Sequence, residues 1–400
     1  MLPEEGGGTV FDAYAVRPDG PLQQDFFIDL LPGRWSRNVN KNVNKNKDLS
    51  HVIPMAAAVT VDGLFGERVK RTPDLVAYKA YNDQHRNWRD YSWAQIDRQV
   101  ARWQAALERD GLQPGERVAV MLRNSPEWVI FDQAALGLGL VVVPLYTQDR
   151  ADNVAYILNN AGCKVLLVEG DEQWQSLRDV AVDLRGVLRF LSVNALQSSP
   201  GDERFKWIGE WLPADGGKTR HVARPGNTLA TIVYTSGTTG QPKGVMHTSN
   251  TLVSCMNALS HRFGVGNQDV YLASTPVGHM TGYVAVVLIG LRNGGKVVLQ
   301  DFWDPHQGVA IMMKEEVSYF AASTPFLNDI CEVVEAQNLR LPHLRSFLCG
   351  GAPIPPVLSD RARDRVGIRV CSLWGMTEIL SGTLTEPARS IDKSSSSDGR

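Results

Sequence analysis

Short runs of apolar, often β-branched residues alternate with longer stretches of mixed polarity through most of this chain. The runs at 117–122, 141–144, 165–168, 188–193 and 229–233 predict buried strands. Later runs at 270–273, 296–299, 318–321, 346–349 and 368–371 predict more. Between them, the pattern predicts helices over 126–138, 153–161, 251–263, 282–291, 308–316, 326–336 and 357–366. Alternating strands and helices argue for parallel sheet with covering helices, so the predicted fold class is α/β. The polar segment 201–225, with its Gly and Pro residues, reads as a loop between subdomains. We therefore expect one α/β subdomain over 55–225 and a second over 226–395.

The two ends differ from this pattern. Residues 38–47 read Asn-Val-Asn-Lys-Asn-Val-Asn-Lys-Asn-Lys, a short repeat with few apolar side chains. Such a segment cannot bury a core, so 1–54 is expected to be a disordered tail. The serine run at 394–397 predicts a frayed end over 396–400.

The densest chemistry lies in Tyr234-Thr235-Ser236-Gly237-Thr238-Thr239-Gly240-Gln241-Pro242-Lys243-Gly244. It follows an apolar strand and is expected to lead into a helix. Glycines allow positive φ, so backbone amides can turn toward one point and form an anion nest. Thr235, Ser236, Thr238 and Thr239 add neutral donors, and Lys243 adds a cation. A P-loop would need Gly-Lys followed by Ser or Thr. Here Pro242 precedes Lys243 and Gly244 follows it, so that pattern fails. A solvated linker is the plain alternative, but linkers rarely sit tight against an apolar strand.

This loop resembles the signature phosphate loop of the adenylate-forming superfamily, which includes acyl-CoA synthetases, peptide-synthetase adenylation domains and luciferase-like enzymes. Two further matches lie downstream, Gly350-Gly351-Ala352-Pro353 and Trp374-Gly375-Met376-Thr377-Glu378. The resemblance covers roughly residues 55–395. It implies the layered parallel-sheet subdomains of the N-terminal domain of those enzymes, with nucleotide in the crevice between them.

The resemblance also implies roles. Thr235, Ser236, Gly237, Thr238, Thr239, Gly240 and Lys243 would hold the β- and γ-phosphates of ATP. Gly350, Gly351, Ala352 and Pro353 would bring backbone close to adenine. Trp374 would stack on the ring, with Gly375 and Met376 beside it; packing in the core is the plainer role for a tryptophan. Thr377 would bind the α-phosphate and Glu378 would ligate Mg²⁺, which prefers carboxylate and phosphate oxygens. His279 would gate or steady the acid, in a pocket shared with Tyr283, Ser323 and Leu373. A structural histidine is the alternative for His279, and His247 reads as structural.

The implied reaction is ATP-dependent activation of a carboxylic acid to acyl-AMP and then, with coenzyme A, to acyl-CoA. Residues 55–245 resemble long-chain fatty-acid–CoA ligases, and 270–380 resemble ligases for alicyclic, short or medium acids. After Glu378 nothing matches the ribose-binding aspartate, hinge and small lysine-bearing domain that the resemblance leads one to expect. The expectation is therefore an N-terminal portion that is catalytically incomplete and of low activity. A peptide-synthetase-like adenylation unit and a non-catalytic nucleotide-binding or regulatory protein stay open as alternatives.

Composition narrows the remainder. The net charge is −2 and no basic stripe stands out, which argues against a nucleic-acid partner. The five cysteines are scattered, without metal-ligand spacing, which fits a reducing cytoplasm. No apolar run is long enough to span a membrane, which leaves surface association open.

Overall fold

The computed structural model describes residues 50–82, 87–197, 201–235 and 240–385. They form an α/β fold around two sheets. The strands are β1 (Val76–Asn82), β2 (Asn87–Ser92), β3 (Arg117–Met121), β4 (Val141–Pro144), β5 (Cys163–Val168), β6 (Arg189–Ser192) and β7 (Phe205–Trp207). They continue with β8 (Leu229–Thr235), β9 (Lys243–Thr248), β10 (Val270–Ala273), β11 (Lys296–Leu299), β12 (Tyr319–Ala322), β13 (Ser346–Gly350), β14 (Val370–Trp374) and β15 (Thr383–Leu384). One sheet has the order β7-β6-β5-β3-β4-β8-β9, the other β15-β14-β13-β12-β10-β11-β1-β2. Pairing is parallel within each sheet except at the edges, where β8–β9, β1–β2 and β14–β15 are antiparallel.

The sheets do not divide at 225/226, where the sequence pattern placed the subdomain boundary. β1 and β2 come early in the chain but join the later sheet, with Tyr78 opposite Val297 and Ala80 opposite Leu299. β8 follows the boundary but joins the earlier sheet through Val142 and Thr231. Residues 50–54 also depart from the expected tail. Ile53 is fully buried, and its N–H donates to the Arg292 carbonyl at 3.0 Å. The rest of that tail and the expected frayed end lie outside the described residues. The segment 201–225 is not wholly loop, since it supplies β7 and the short helix Ile208–Trp211.

Both faces of the inner strands of each sheet are covered, which explains their continuous apolar runs. Successive residues alternate between cores. Tyr271 and Ala273 of β10 face the space between the sheets, while Leu272 joins Val298, Phe320 and Phe347 on the outer face. Helices Val61–Arg71, Trp93–Arg109, Pro126–Gly137 and Ser249–Phe263 fill the inter-sheet space. Pro126–Gly137 is apolar nearly all round, as a helix buried on every side must be. Local signals set its start, with Ser125 capping and Pro126 in the first turn. Trp93–Arg109 begins at a capping box formed by Ser92 and Gln95.

Candidate functional site

The expected phosphate loop lies in a hairpin. β8 ends at Thr235, which is opposite Lys243, the first residue of β9. The sequence pattern placed a helix directly after the loop. Instead β9 returns antiparallel, and the helix Ser249–Phe263 starts only at the Thr248 cap. β9 is an edge strand, largely exposed on both faces, so it lacks the apolar alternation that identifies a strand. Ser236, Gly237, Thr238 and Thr239 lie outside the described residues. Gly240 has φ +102°, a conformation that favours glycine. Lys243 is exposed. The hairpin base is fixed by Tyr234, whose hydroxyl donates to Asn160 Oδ1 at 2.5 Å, and by Thr231, which donates to the Val142 carbonyl at 2.8 Å.

The other expected site residues sit at the ends of adjacent parallel strands. β14, β13, β12 and β10 run side by side in one direction. Their carboxyl ends lead into Trp374, Gly350–Gly351, Ser323 and the segment containing His279. Open α/β sheets bind ligands outside the carboxyl ends of their strands. Gly350 pairs with Leu373, and a Cβ at Gly350 would come within 2.6 Å of the Leu373 carbonyl oxygen. Gly351 has φ +81°. Thr324 Oγ1 lies 3.3 Å from the Ala352 carbonyl oxygen and 3.1 Å from that of Pro353, within donating distance of both.

Trp374 is 51% exposed, so it is not a core tryptophan. Its indole lies over Gly382, where a Cβ would meet the six-membered ring at 2.6 Å. Beyond it, Leu380 N–H donates to the Met376 carbonyl at 2.7 Å and closes a turn through Thr377 and Glu378. Glu378 is exposed and makes no ion pair among the described residues. Mg²⁺ needs few protein ligands when phosphate oxygens and waters supply the rest. A single free carboxylate suits that demand.

His279 caps the short helix Met280–Gly282 by accepting the Thr281 N–H at Nδ1, 3.1 Å away. Nε2 has no hydrogen-bond partner among the described residues. Burial lowers its pKa, which keeps the ring neutral near pH 7. Leu373 and Ser323 are half-buried nearby in the strand order.

Tyr283 is placed differently from the sequence expectation. It is 2% exposed and lies in the π-helix Tyr283–Leu288. Its hydroxyl donates to Asp132 Oδ2 at 3.0 Å, and its ring packs on Trp128 with centroids 5.5 Å apart. The hydroxyl is thus occupied inside the core, so Tyr283 serves packing rather than presenting a polar group to an acid. Burial raises the Asp132 carboxyl from 3.8 to about 7, against the lowering effect of Tyr283 and Gln133.

That shift makes stability depend on pH. A carboxyl with a raised folded-state pKa contributes stability below about pH 4, and loses it as pH rises through about 7. Asp132→Asn should therefore gain stability relative to the parent between pH 4 and 7, on the order of a few kcal/mol in total. Urea unfolding at pH 4.5, 6 and 7.5 reads the difference. A gap that does not widen with pH would contradict the assignment.

Two residues to which the sequence pattern gave no site role hold the candidate site residues in place. Asn124 is buried, and its Nδ2 lies 3.0 Å from the Thr275 carbonyl and 3.1 Å from that of Gln300. Its Oδ1 accepts the Val277 N–H at 2.7 Å. It thereby clamps the segment leading to His279. His247, read as structural from sequence, is 2% exposed on β9, and its Nε2 lies 2.7 Å from the Thr377 carbonyl oxygen. Residues 130 positions apart are joined there. Local pattern carried no signal for either contact.

A cleft of about 530 Å³ opens elsewhere, between Arg89, Arg98, Arg123, Glu127 and Asp301. It contains none of the expected site residues, so its size gives it no claim to the chemistry.

The sequence matches the AMP-binding enzyme family over residues 65–400. The medium-chain fatty-acid–CoA ligase of Escherichia coli (strain K12) is 29% identical over 293 residues, which are 72% of this chain and 51% of that protein. The feruloyl-CoA synthase of Amycolatopsis sp is 28% identical over 294 residues, 73% of this chain and 55% of that protein. The chain thus spans about half the length of these curated relatives. Among solved structures, the inhibitor-bound N-terminal domain of FACL13 from Mycobacterium tuberculosis superposes with a TM-score of 0.72 at 26% identity. That match covers 85% of this chain and 82% of that one.

Proposed function

The chain belongs to the AMP-binding enzyme family, and from that premise we propose that it activates a carboxylic acid with ATP, as the first half of an acid–CoA ligation. One observation carries this reading most: four neighbouring parallel strands have their carboxyl ends side by side and lead into the segment of His279, Ser323, Gly350–Gly351 and Trp374. Thr377 and Glu378 follow the last of them, tied to the hairpin that bears the phosphate loop.

Both reactants are anions, so the site must neutralise charge and hold them in line. A carboxylate oxygen bonds to the α-phosphorus, and the bond to the bridging oxygen of pyrophosphate breaks. Loop donors from Thr235 to Gly240, with Lys243, take up charge on the leaving pyrophosphate. Thr377 donates to the α-phosphate, and Trp374 stacks on adenine beside Gly350–Gly351 and the Ala352-Pro353 turn. Neutral His279 lines the acid pocket without adding a charge of its own. Glu378 is the residue that would hold Mg²⁺, which when bound neutralises phosphate charge. In the second half-reaction, the thiol sulfur of coenzyme A would replace AMP on the acyl carbon.

The relatives named above are a medium-chain fatty-acid–CoA ligase and a feruloyl-CoA synthase, so the acids worth testing with this chain run from aliphatic to aryl-substituted carboxylic acids. The test is a single-turnover incubation with ATP, Mg²⁺ and a panel of such acids, read by mass spectrometry. At least one acid should give its acyl-AMP. ATP binding with no acyl-AMP from any acid would overturn the reading in favour of a non-catalytic nucleotide-binding protein.

A further inference from the structure

We infer that His247 is a positioning residue: it fixes the Thr377–Glu378 peptide against the strand leaving the phosphate loop, so that the two motifs move as one unit. This rests on the ligase reading for its consequence, but not for its geometry.

The argument begins with direction. A carbonyl only accepts, so Nε2 must be the donor in the 2.7 Å contact with Thr377. The ring has little freedom to do otherwise. His247 is 2% exposed, and Nδ1 lies 3.2 Å from Thr251 Oγ1 on the helix that follows β9. Thr251 Oγ1 also lies 2.9 Å from the Thr248 carbonyl, so its single proton is shared between that carbonyl and Nδ1, which accepts. The ring is therefore set by the β9–helix junction before it reaches across.

The peptide plane carries the effect onward. The Thr377 carbonyl and the Glu378 N–H belong to one rigid planar unit. Pinning the carbonyl fixes the direction of that N–H and the placement of the Glu378 Cα. The turn's other hydrogen bonds do not do this. Ile379 and Leu380 N–H groups bond back to Met376, and Gly382 N–H bonds to Trp374. They close the turn on itself without relating it to β9. The Ser381 N–H donates to the Ile379 carbonyl at 2.8 Å and also lies near the Cys255 thiol on the helix Ser249–Phe263, a contact at the turn's exit that leaves 377–378 to His247. Thus the residues meant for the α-phosphate and the metal take their position from a side chain four residues past Lys243.

Two variants of the full chain test this. His247→Leu removes the donor and keeps an apolar filling; His247→Gln restores an N–H near the Nε2 position. In His247→Leu, hydrogen exchange across 375–381 should accelerate roughly tenfold, as expected for loss of one such bond. Exchange in β8 and β9 and the melting temperature should stay near parent values. Single-turnover acyl-AMP formation should slow about tenfold at saturating ATP with little change in ATP KM, and His247→Gln should recover most of both effects. Unchanged exchange at 375–381, or acceleration spread over β9 and the following helix, would overturn the inference. If the parent itself forms no acyl-AMP, the ligase reading falls, and the exchange result still decides the role of His247.

Discussion

Glu378→Gln is expected to slow acyl-AMP formation by roughly 10²–10³-fold, the usual loss when one charge-stabilising contact, here the Mg²⁺ that the carboxylate would hold, is weakened. The substitution keeps the size, removes the negative charge and turns one acceptor oxygen into a donor. Its cost should fall on the reaction and not on the fold. Glu378 is exposed and makes no ion pair among the described residues, and such surface changes usually stay within about 0.5 kcal/mol. The turn that carries it is closed by backbone bonds to Met376 and Trp374, which the variant leaves alone. The measurement is single-turnover formation of acyl-AMP over a Mg²⁺ titration, with thermal melting alongside. A parent-like rate at every Mg²⁺ concentration would remove Glu378 from the reaction, and with it the reading of the Trp374-to-Glu378 motif.

Asn124→Ala is expected to destabilise the protein by at least roughly 3 kcal/mol, from three buried groups left without that partner at about 1–3 kcal/mol each. The groups are the Val277 N–H and the carbonyls of Thr275 and Gln300, all served by the Asn124 amide. The Ala273 carbonyl, also near that amide, keeps the Gln300 N–H at 3.0 Å and should not suffer. The lost clamp joins the segment after β3 to the ends of β10 and β11 and the residues that follow them. The segment it releases leads directly to His279. Urea unfolding should show a lower midpoint with an unchanged slope. A shift under 1 kcal/mol would mean that water or a rearranged 275–277 segment replaces the amide.

Much of the sheet framework was readable from the chain. The runs predicted at 141–144, 270–273 and 296–299 coincide with β4, β10 and β11. Strands covered on both faces are apolar throughout, so a short apolar run between turn residues marks them. The first hairpin was not readable in this way. β2 is exposed or half-buried along its length, and β1 finds its partner, β11, some two hundred residues later. β9 escaped notice for the same reason as β2. Tyr283 stood within a motif that suggested a pocket, yet its hydroxyl belongs to Asp132 on the helix Pro126–Gly137. The cost of burying that carboxyl, which decides where the hydroxyl turns, arises only once the two helices meet.

By itself the sequence determined the chemical inventory: a loop of glycines, hydroxyls and a lysine, an aromatic ahead of a Thr-Glu pair, and a histidine after an apolar strand. These follow from side-chain identity and close spacing, which local reading captures. Tertiary structure alone decided which of them come to neighbouring strand ends, through the parallel order β14-β13-β12-β10 and the contact from His247 to Thr377. The physical reason is that an apolar pattern states which face a segment buries but not against what. Strand-to-strand hydrogen bonds join backbone groups that every residue carries alike, so partnership is settled by the packing of the whole.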